Sequence, residues 1–269
     1  MHSIPPKPEN PLHLRSEKLT LGCPILDALL GGGIPCGSVT ELVGESGAGK
    51  TQLCLQLLLC ALLPPSRGGF SSPSLYIYSE PPFPLRRLLR LSLPSLPPHP
   101  LDHVFVRPAH SPDDLLSLLS QLPDSLPVRL IIIDSIAALF RSEFDNTPRD
   151  LKRRSSLFFE IAARLKERAR KLGAAVVVTN HVVDVVEAEC GGSRCLFSSG
   201  RRVVPALGLA WSHCVNTRVF LTSSEGMARS SNGEECATRT RRMHVVFSPH
   251  LPESSCEFAI VGQGVLGVG

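Results

Sequence analysis

Gly44-Glu45-Ser46-Gly47-Ala48-Gly49-Lys50-Thr51 is the stretch whose reading decides the fold. It fits G-x-x-x-x-G-K-[ST], a loop that wraps a polyphosphate. Several backbone N–H groups must turn inward toward the phosphates, and glycine permits turns that a Cβ would block. Lys50 supplies a point charge for the outer phosphates, and the Thr51 hydroxyl completes the shell of a bound Mg²⁺. Before the loop, Val39-Thr40-Glu41-Leu42-Val43 reads as a buried strand. After it, Thr51 to Leu63 reads as an apolar helix whose N-terminal dipole faces the phosphates. Strand, loop and helix in succession separate this motif from a glycine-rich turn that merely precedes a core helix.

Outward from the loop the pattern alternates. Leu26, Leu29 and Leu30 stand at helical spacing, and Gly31-Gly32-Gly33 ends that short helix. Leu75 to Tyr78 is a short strand running into Ser79-Glu80, and Phe83 to Leu93 reads as a basic amphipathic helix. Val104 to Val106 is a strand and Asp113 to Leu122 a helix. Leu130-Ile131-Ile132-Ile133 is an unbroken apolar run that ends in Asp134, the mark of a parallel strand buried on both faces. Thr147-Pro148 opens a long helix that Gly173 stops, with Leu157, Ile161, Leu165 and Leu172 as its apolar stripe. Ala174 to Thr179 is another buried strand. From Val182 to about Val204 the pattern fails, which predicts a long, mobile and functional loop. Arg218–Thr222, Arg242–Phe247 and Glu257–Val261 alternate like the strands of a β-rich end. The whole predicts an α/β fold of three layers around a mostly parallel sheet. Residues 19–269 would form one core domain, and residues 1–18, rich in proline, a flexible lead-in.

Composition sets the outer bounds. The 269 residues carry 43% hydrophobic and 19% charged side chains, which fits a globular chain rather than a disordered one. A net charge of only +4 means that any case for nucleic-acid binding rests on where the charges lie. The first 19 residues hold no apolar run long enough to export or anchor the chain. The nine cysteines therefore read as reduced thiols of the cytosol or nucleus. Cys190 and Cys195 lack a matching pair nearby and read as loop residues.

Several positions bear chemistry. Asp134, at a strand end, is placed either to orient Mg²⁺ opposite Thr51 or simply to make a turn. Glu80, ending another strand at the edge where such sheets bind ligands, is either a carboxylate that polarises an attacking water or a solvent-facing glutamate. Between Arg149 and Lys171 stand nine basic residues against three acids. Arg164 to Lys171 reads as a solvated helix face. Arg149, Lys152, Arg153 and Arg154 crowd a helix N-terminus, where cations oppose the dipole, so an anionic partner is implied. Arg194, Arg201 and Arg202 stand unpaired in the long loop, where phosphate contact would be salt-dependent and indifferent to base sequence.

These motifs resemble one family. Gly32-Gly33-Ile34-Pro35-Cys36-Gly37-Ser38-Val39-Thr40-Glu41 and Gly49-Lys50-Thr51-Gln52-Leu53-Cys54 resemble the eukaryotic and archaeal RecA-type recombinases and their paralogues. The likeness continues through Tyr76-Ile77-Tyr78-Ser79-Glu80, Ile133-Asp134-Ser135, Val178-Thr179-Asn180 and Ser248-Pro249-His250-Leu251-Pro252, and spans about Leu19 to Val268. It implies a RecA-like ATP-binding core, with Gly44 to Gln52 around ATP, Thr51 and Asp134 on Mg²⁺, and Lys50 and Glu80 as the catalytic pair. Arg87 matches the arginine that stacks on adenine. The segment from Arg141 to Arg153 matches the first DNA-binding loop and Val182 to Val204 the second, while Ser248 to Pro252 matches a cap over a neighbouring subunit's nucleotide. Where the family reads Asn-Gln this chain reads Asn180-His181, so that His181 takes the place of the γ-phosphate sensor with a different reach and protonation. The chain has no room before Leu19 for the small helical domain of full-length recombinases, which predicts weak self-assembly. The resemblance further implies a nuclear, DNA-dependent ATPase of slow turnover that acts on single-stranded or branched DNA in double-strand-break repair and meiotic recombination. It would work in a hetero-oligomer with the strand-exchange recombinase and a sister paralogue, away from membranes.

Overall fold

A short antiparallel pair, β1 (Lys18–Leu19) with β2 (Ile34–Pro35), brackets helix α1 (Pro24–Leu29) and leads into the phosphate-loop strand. The computed structural model describes residues 17–91, 93–141, 144, 147–185, 196–229 and 235–269. Strand β3 (Val39–Gly44) precedes the loop and α2 (Lys50–Leu62) follows it. Then come β4 (Ser74–Tyr78), α3 (Leu85–Leu88), β5 (Val104–Pro108), α4 (Pro112–Gln121), β6 (Leu130–Asp134) and α5 (Ile136–Leu139). The long helix α6 (Pro148–Lys171) is capped as its sequence predicts: the Thr147 side chain accepts from the Asp150 N–H, with Pro148 in the first turn. After β7 (Ala175–Asn180) the chain makes β8 (Val182–Asp184), β9 (Leu196–Ser198), β10 (Arg201–Pro205) and α7 (Gly208–Ser212). It ends in β11 (Thr217–Arg229), β12 (Glu235–Phe247), β13 (Ser254–Ile260) and β14 (Val265–Val268).

Nine of these strands form one sheet in the order β14-β13-β12-β11-β3-β7-β6-β4-β5. From β11 to β5 every pairing is parallel, and from β11 to β14 every pairing is antiparallel. The expected mostly parallel sheet with a β-rich C-terminal end is therefore present. Side chains of successive strand residues face opposite layers. Leu42, Ile132 and Val177 enter the core under α2, while Ile131, Ile133, Val176 and Val178 enter the core under α4 and α6. This explains why the central strands read as unbroken apolar runs: both faces are covered. Leu157, Ile161 and Leu165 of the α6 stripe are buried in the second core and Leu172 packs against it.

The structure departs from the sequence expectations at several places. The helix expected over Phe83 to Leu93 is only four residues long, because beyond Leu88 the bonding tightens to turns: Arg90 N–H donates to the Arg87 carbonyl and Leu91 N–H to that of Leu88. The segment from Val182 to Val204 is not loop throughout: β8, β10 and β9 pair antiparallel in a small sheet of their own. The face from Arg164 to Lys171 is not wholly solvated. Arg168 is buried, bonded to the Leu119 carbonyl at 3.0 Å and to the Asp124 carboxylate at 2.6 Å. At the N-terminal end Lys18 already belongs to the fold, through β1, and Glu17 pairs with Arg129.

Candidate functional site

The loop from Gly44 to Thr51 lies at the C-terminal ends of the parallel strands, and two of its glycines have separate reasons. Gly44 packs so closely on β11 that a Cβ would stand 2.3 Å from the Leu221 carbonyl oxygen. Gly49, the residue before α2, adopts φ 113°, which side-chain-bearing residues avoid. Lys50 is 6% exposed and folds back over the loop, donating to the Gly44 and Glu45 carbonyls at 2.7 and 2.8 Å. Burial lowers its ammonium pKa, and the Asp134 carboxylate opposes that shift.

A cleft of about 490 Å³ opens over this loop, lined by Ser46, Gly47, Gly49, Lys50, Thr51 and Gln52 from the loop and α2, and by Glu80, Asp134 and His181 from three strand ends. Arg239, Arg241 and Ile260 close it from the antiparallel side. Asp134 accepts three hydroxyl hydrogen bonds: from Thr51 at 2.7 Å, Tyr76 at 2.6 Å and Thr179 at 2.6 Å. A carboxylate and a hydroxyl oxygen held this close form a hard oxygen donor set that suits Mg²⁺ completed by phosphate and water oxygens. Glu80 is exposed. Its carboxylate accepts from Arg141 at 3.1 Å and lies 3.8 Å from His181 Nε2, too far for a hydrogen bond. His181 Nε2 is buried with no hydrogen-bond partner among the described residues. Burial, then the nearby Lys50 charge, push the imidazole pKa down and favour the neutral ring.

Arg87 sits beside the cleft rather than among its lining residues. Its guanidinium donates to Gln52 Oε1 at 2.6 Å and to the Gly262 and Val261 carbonyls at 2.9 and 2.7 Å, tying α2 to the turn between β13 and β14. Ser248 to Pro252 joins β12 to β13; Ser248, His250 and Leu251 line a separate small crevice with Lys18 and Ile34.

The basic residues expected to meet DNA divide into sets. Arg149 and Lys152 are exposed on the first turns of α6. Arg153 pairs with Asp113 at 3.2 Å and stacks over Phe144, while Arg141 holds Glu80. Arg201 lies in two ion pairs, with Asp184 at 2.9 Å and with Glu45 of the phosphate loop at 3.1 Å, so the sequence impression of an unpaired arginine does not hold. Arg202 stacks over Phe197. Arg194, Cys190, Cys195 and most of the first loop's tip fall outside the described residues.

The sequence reading missed Arg239 and Arg241. Their signal was arginine at period 2 on a strand, which puts both side chains on one face. It also missed the buried cluster behind the site. Glu41 is 0% exposed and accepts from Asn180 at 2.7 Å, from Trp211 at 2.9 Å and from Arg218.

Comparison with known proteins gives these residues a setting. The Rad51 family model matches residues 15–268. The chain is 50% identical to the DNA repair protein XRCC3 homolog of Arabidopsis thaliana across 97% of each chain. It is 36% identical to DNA repair protein XRCC3 of Mus musculus, across 94% of this chain and 76% of that one. To DNA repair protein RAD51 of Saccharomyces cerevisiae it is 33% identical, across 94% of this chain and 60% of the other. Those matches and the RecA-like sheet with its phosphate loop agree, and the chain belongs to the Rad51 family, as a RecA-type recombinase paralogue most like XRCC3.

Proposed function

We propose that this chain is an ATP-binding, DNA-binding accessory protein of homologous recombination. It would act in double-strand-break repair and meiotic recombination, within a nuclear hetero-oligomer that includes the strand-exchange recombinase and a sister paralogue. One observation carries the reading: Lys50, Thr51, Asp134, Glu80 and His181, from separate strand ends and one helix, converge on a single cleft. The names of its relatives, DNA repair proteins throughout, supply the pathway.

In this reading the loop amides and Lys50 hold the phosphates, Thr51 and Asp134 hold Mg²⁺, and Arg87 fixes the adenine end. Bound Mg²⁺ would neutralise charge on the outer phosphates. Glu80 would take a proton from water once released from Arg141, whose guanidinium it accepts from. Because Arg141 begins the first DNA loop and Arg201 of the second grips Glu45, both basic segments touch the nucleotide side of the molecule. Nucleotide then acts as a switch for DNA grip, with slow hydrolysis.

The tethering of Glu80 also favours a second reading, in which the chain is a scaffold that docks recombinases and ATP only stabilises the fold. Lys50→Arg decides between them in the reconstituted hetero-oligomer, by nucleotide turnover and single-strand binding measured together. The switch reading expects both to fall; unchanged DNA binding and repair with hydrolysis abolished leaves the scaffold.

A further inference from the structure

Arg239 and Arg241 of β12 line the cleft and take no part in the mechanism above. Residues two apart on a strand share a face, so both side chains leave the sheet toward the phosphate loop. The two terminal nitrogens of Arg239 lie 3.8 Å from the place a Cβ on Gly47 would occupy, and its Nε donates to Ser223 Oγ at 2.8 Å. Arg241 is half-buried, and its buried Nε has no hydrogen-bond partner among the described residues. Burial, and then the neighbouring Arg239 charge, lower its guanidinium pKa.

Lys50 adds a third cation to the same cleft. The carboxylates that line it are engaged: Glu80 pairs with Arg141, and Asp134 accepts three hydroxyls. A buried guanidinium N–H without an acceptor is costly, and converging like charges add to that cost. The arrangement is stabilised by a compact anion with several acceptor oxygens and more than one negative charge. In a nucleoside triphosphate only the terminal phosphate carries more than one such charge, and planar guanidinium forks match its oxygens.

We infer that Arg239 and Arg241 grip the terminal phosphate of the bound nucleotide from the subunit's own β12, which makes the cleft discriminate triphosphate from diphosphate. The inference rests on the ATP site proposed above and extends it. It also gives the antiparallel end of the sheet a role in the site: the arginines sit on a strand hydrogen-bonded to β11, itself paired with the phosphate-loop strand.

The test is equilibrium binding of a non-hydrolysable ATP analogue and of ADP to the full chain, as wild type, Arg241→Gln, Arg239→Gln and Lys50→Ala. Urea midpoints establish that each variant is folded. Arg241→Gln is expected to lower affinity for the triphosphate by about tenfold or more while ADP affinity stays within about twofold, and Arg239→Gln to act in the same direction. Lys50→Ala should weaken both ligands. If the arginine variants lose both ligands equally, or lose neither, the inference is overturned. Wild type binding neither ligand would instead sink the ATP site itself. If Arg241→Gln does not fold, Arg241→Lys substitutes for it, and that variant must still lose triphosphate preference.

Discussion

Arg201 of β10 donates to the Glu45 carboxylate of the phosphate loop at 3.1 Å, so a basic residue of the segment proposed to meet DNA is held by the phosphate loop itself. A phosphate backbone would compete with Glu45 and Asp184 for the same guanidinium. Arg201→Ala is expected to weaken single-strand binding and to reduce the slope of log affinity against log salt by about one. Measurement across a salt series with one oligonucleotide checks it, and an identical slope would remove Arg201 from the DNA contacts.

Glu45→Gln removes the restraint from the other side. Arg201 then loses one charged partner and keeps Asp184, so single-strand affinity without nucleotide should rise. Loss of DNA binding in this variant would mean that the pair supports the loop rather than restrains it.

Glu41 and Arg218 are paired inside the sheet at facing positions of β3 and β11. Removing one partner of a buried pair strands the other charge, so Glu41→Ala should cost about 3–5 kcal/mol in urea denaturation. A loss under about 1 kcal/mol would show that the cluster relaxes around the change.

Two histidines give the pH dependence its sign. Burial lowers the pKa of both His181 and His244, with Lys50 adding to the first effect and Arg242 to the second. The unfolded chain takes up these protons near the ordinary 6.5 while the folded chain resists. Stability should therefore hold above that pH and decline as pH falls through 6.5 toward the lower folded values. The double variant His181→Gln with His244→Gln should lose less stability between about pH 7.5 and 5.5 than wild type in urea denaturation. Equal losses would place the acid sensitivity elsewhere.

The cap of α6 is open to a simpler check. Thr147→Ala removes the acceptor for the Asp150 N–H and should destabilise by about 1 kcal/mol in the same assay.

Much of this was legible in the chain. Leu130 to Asp134 and Ala175 to Asn180 announce buried parallel strands because apolar layers cover both faces. Thr147-Pro148 and Gly173 announce α6 because caps and breakers act locally. The strands β8 to β10 were hidden because each is short and their pairing closes over an intervening stretch that sequence periodicity cannot span. The helix over Phe83 to Leu93 was overestimated because the spacing of apolar and basic residues does not show that the backbone bonding tightens to turns beyond Leu88. The site itself divides the same way. The phosphate loop is contiguous in sequence, whereas Arg239 and Arg241 reach it only through strand pairing.

The indole of Trp211 is fully enclosed and donates to Glu41 at the centre of the molecule, and it is the only tryptophan in the chain. Its emission thus comes from one site, blue-shifted and shielded from quenchers while the sheet holds together. Any event that opens the contact between β3 and β11 will redden that emission without a label or an engineered probe.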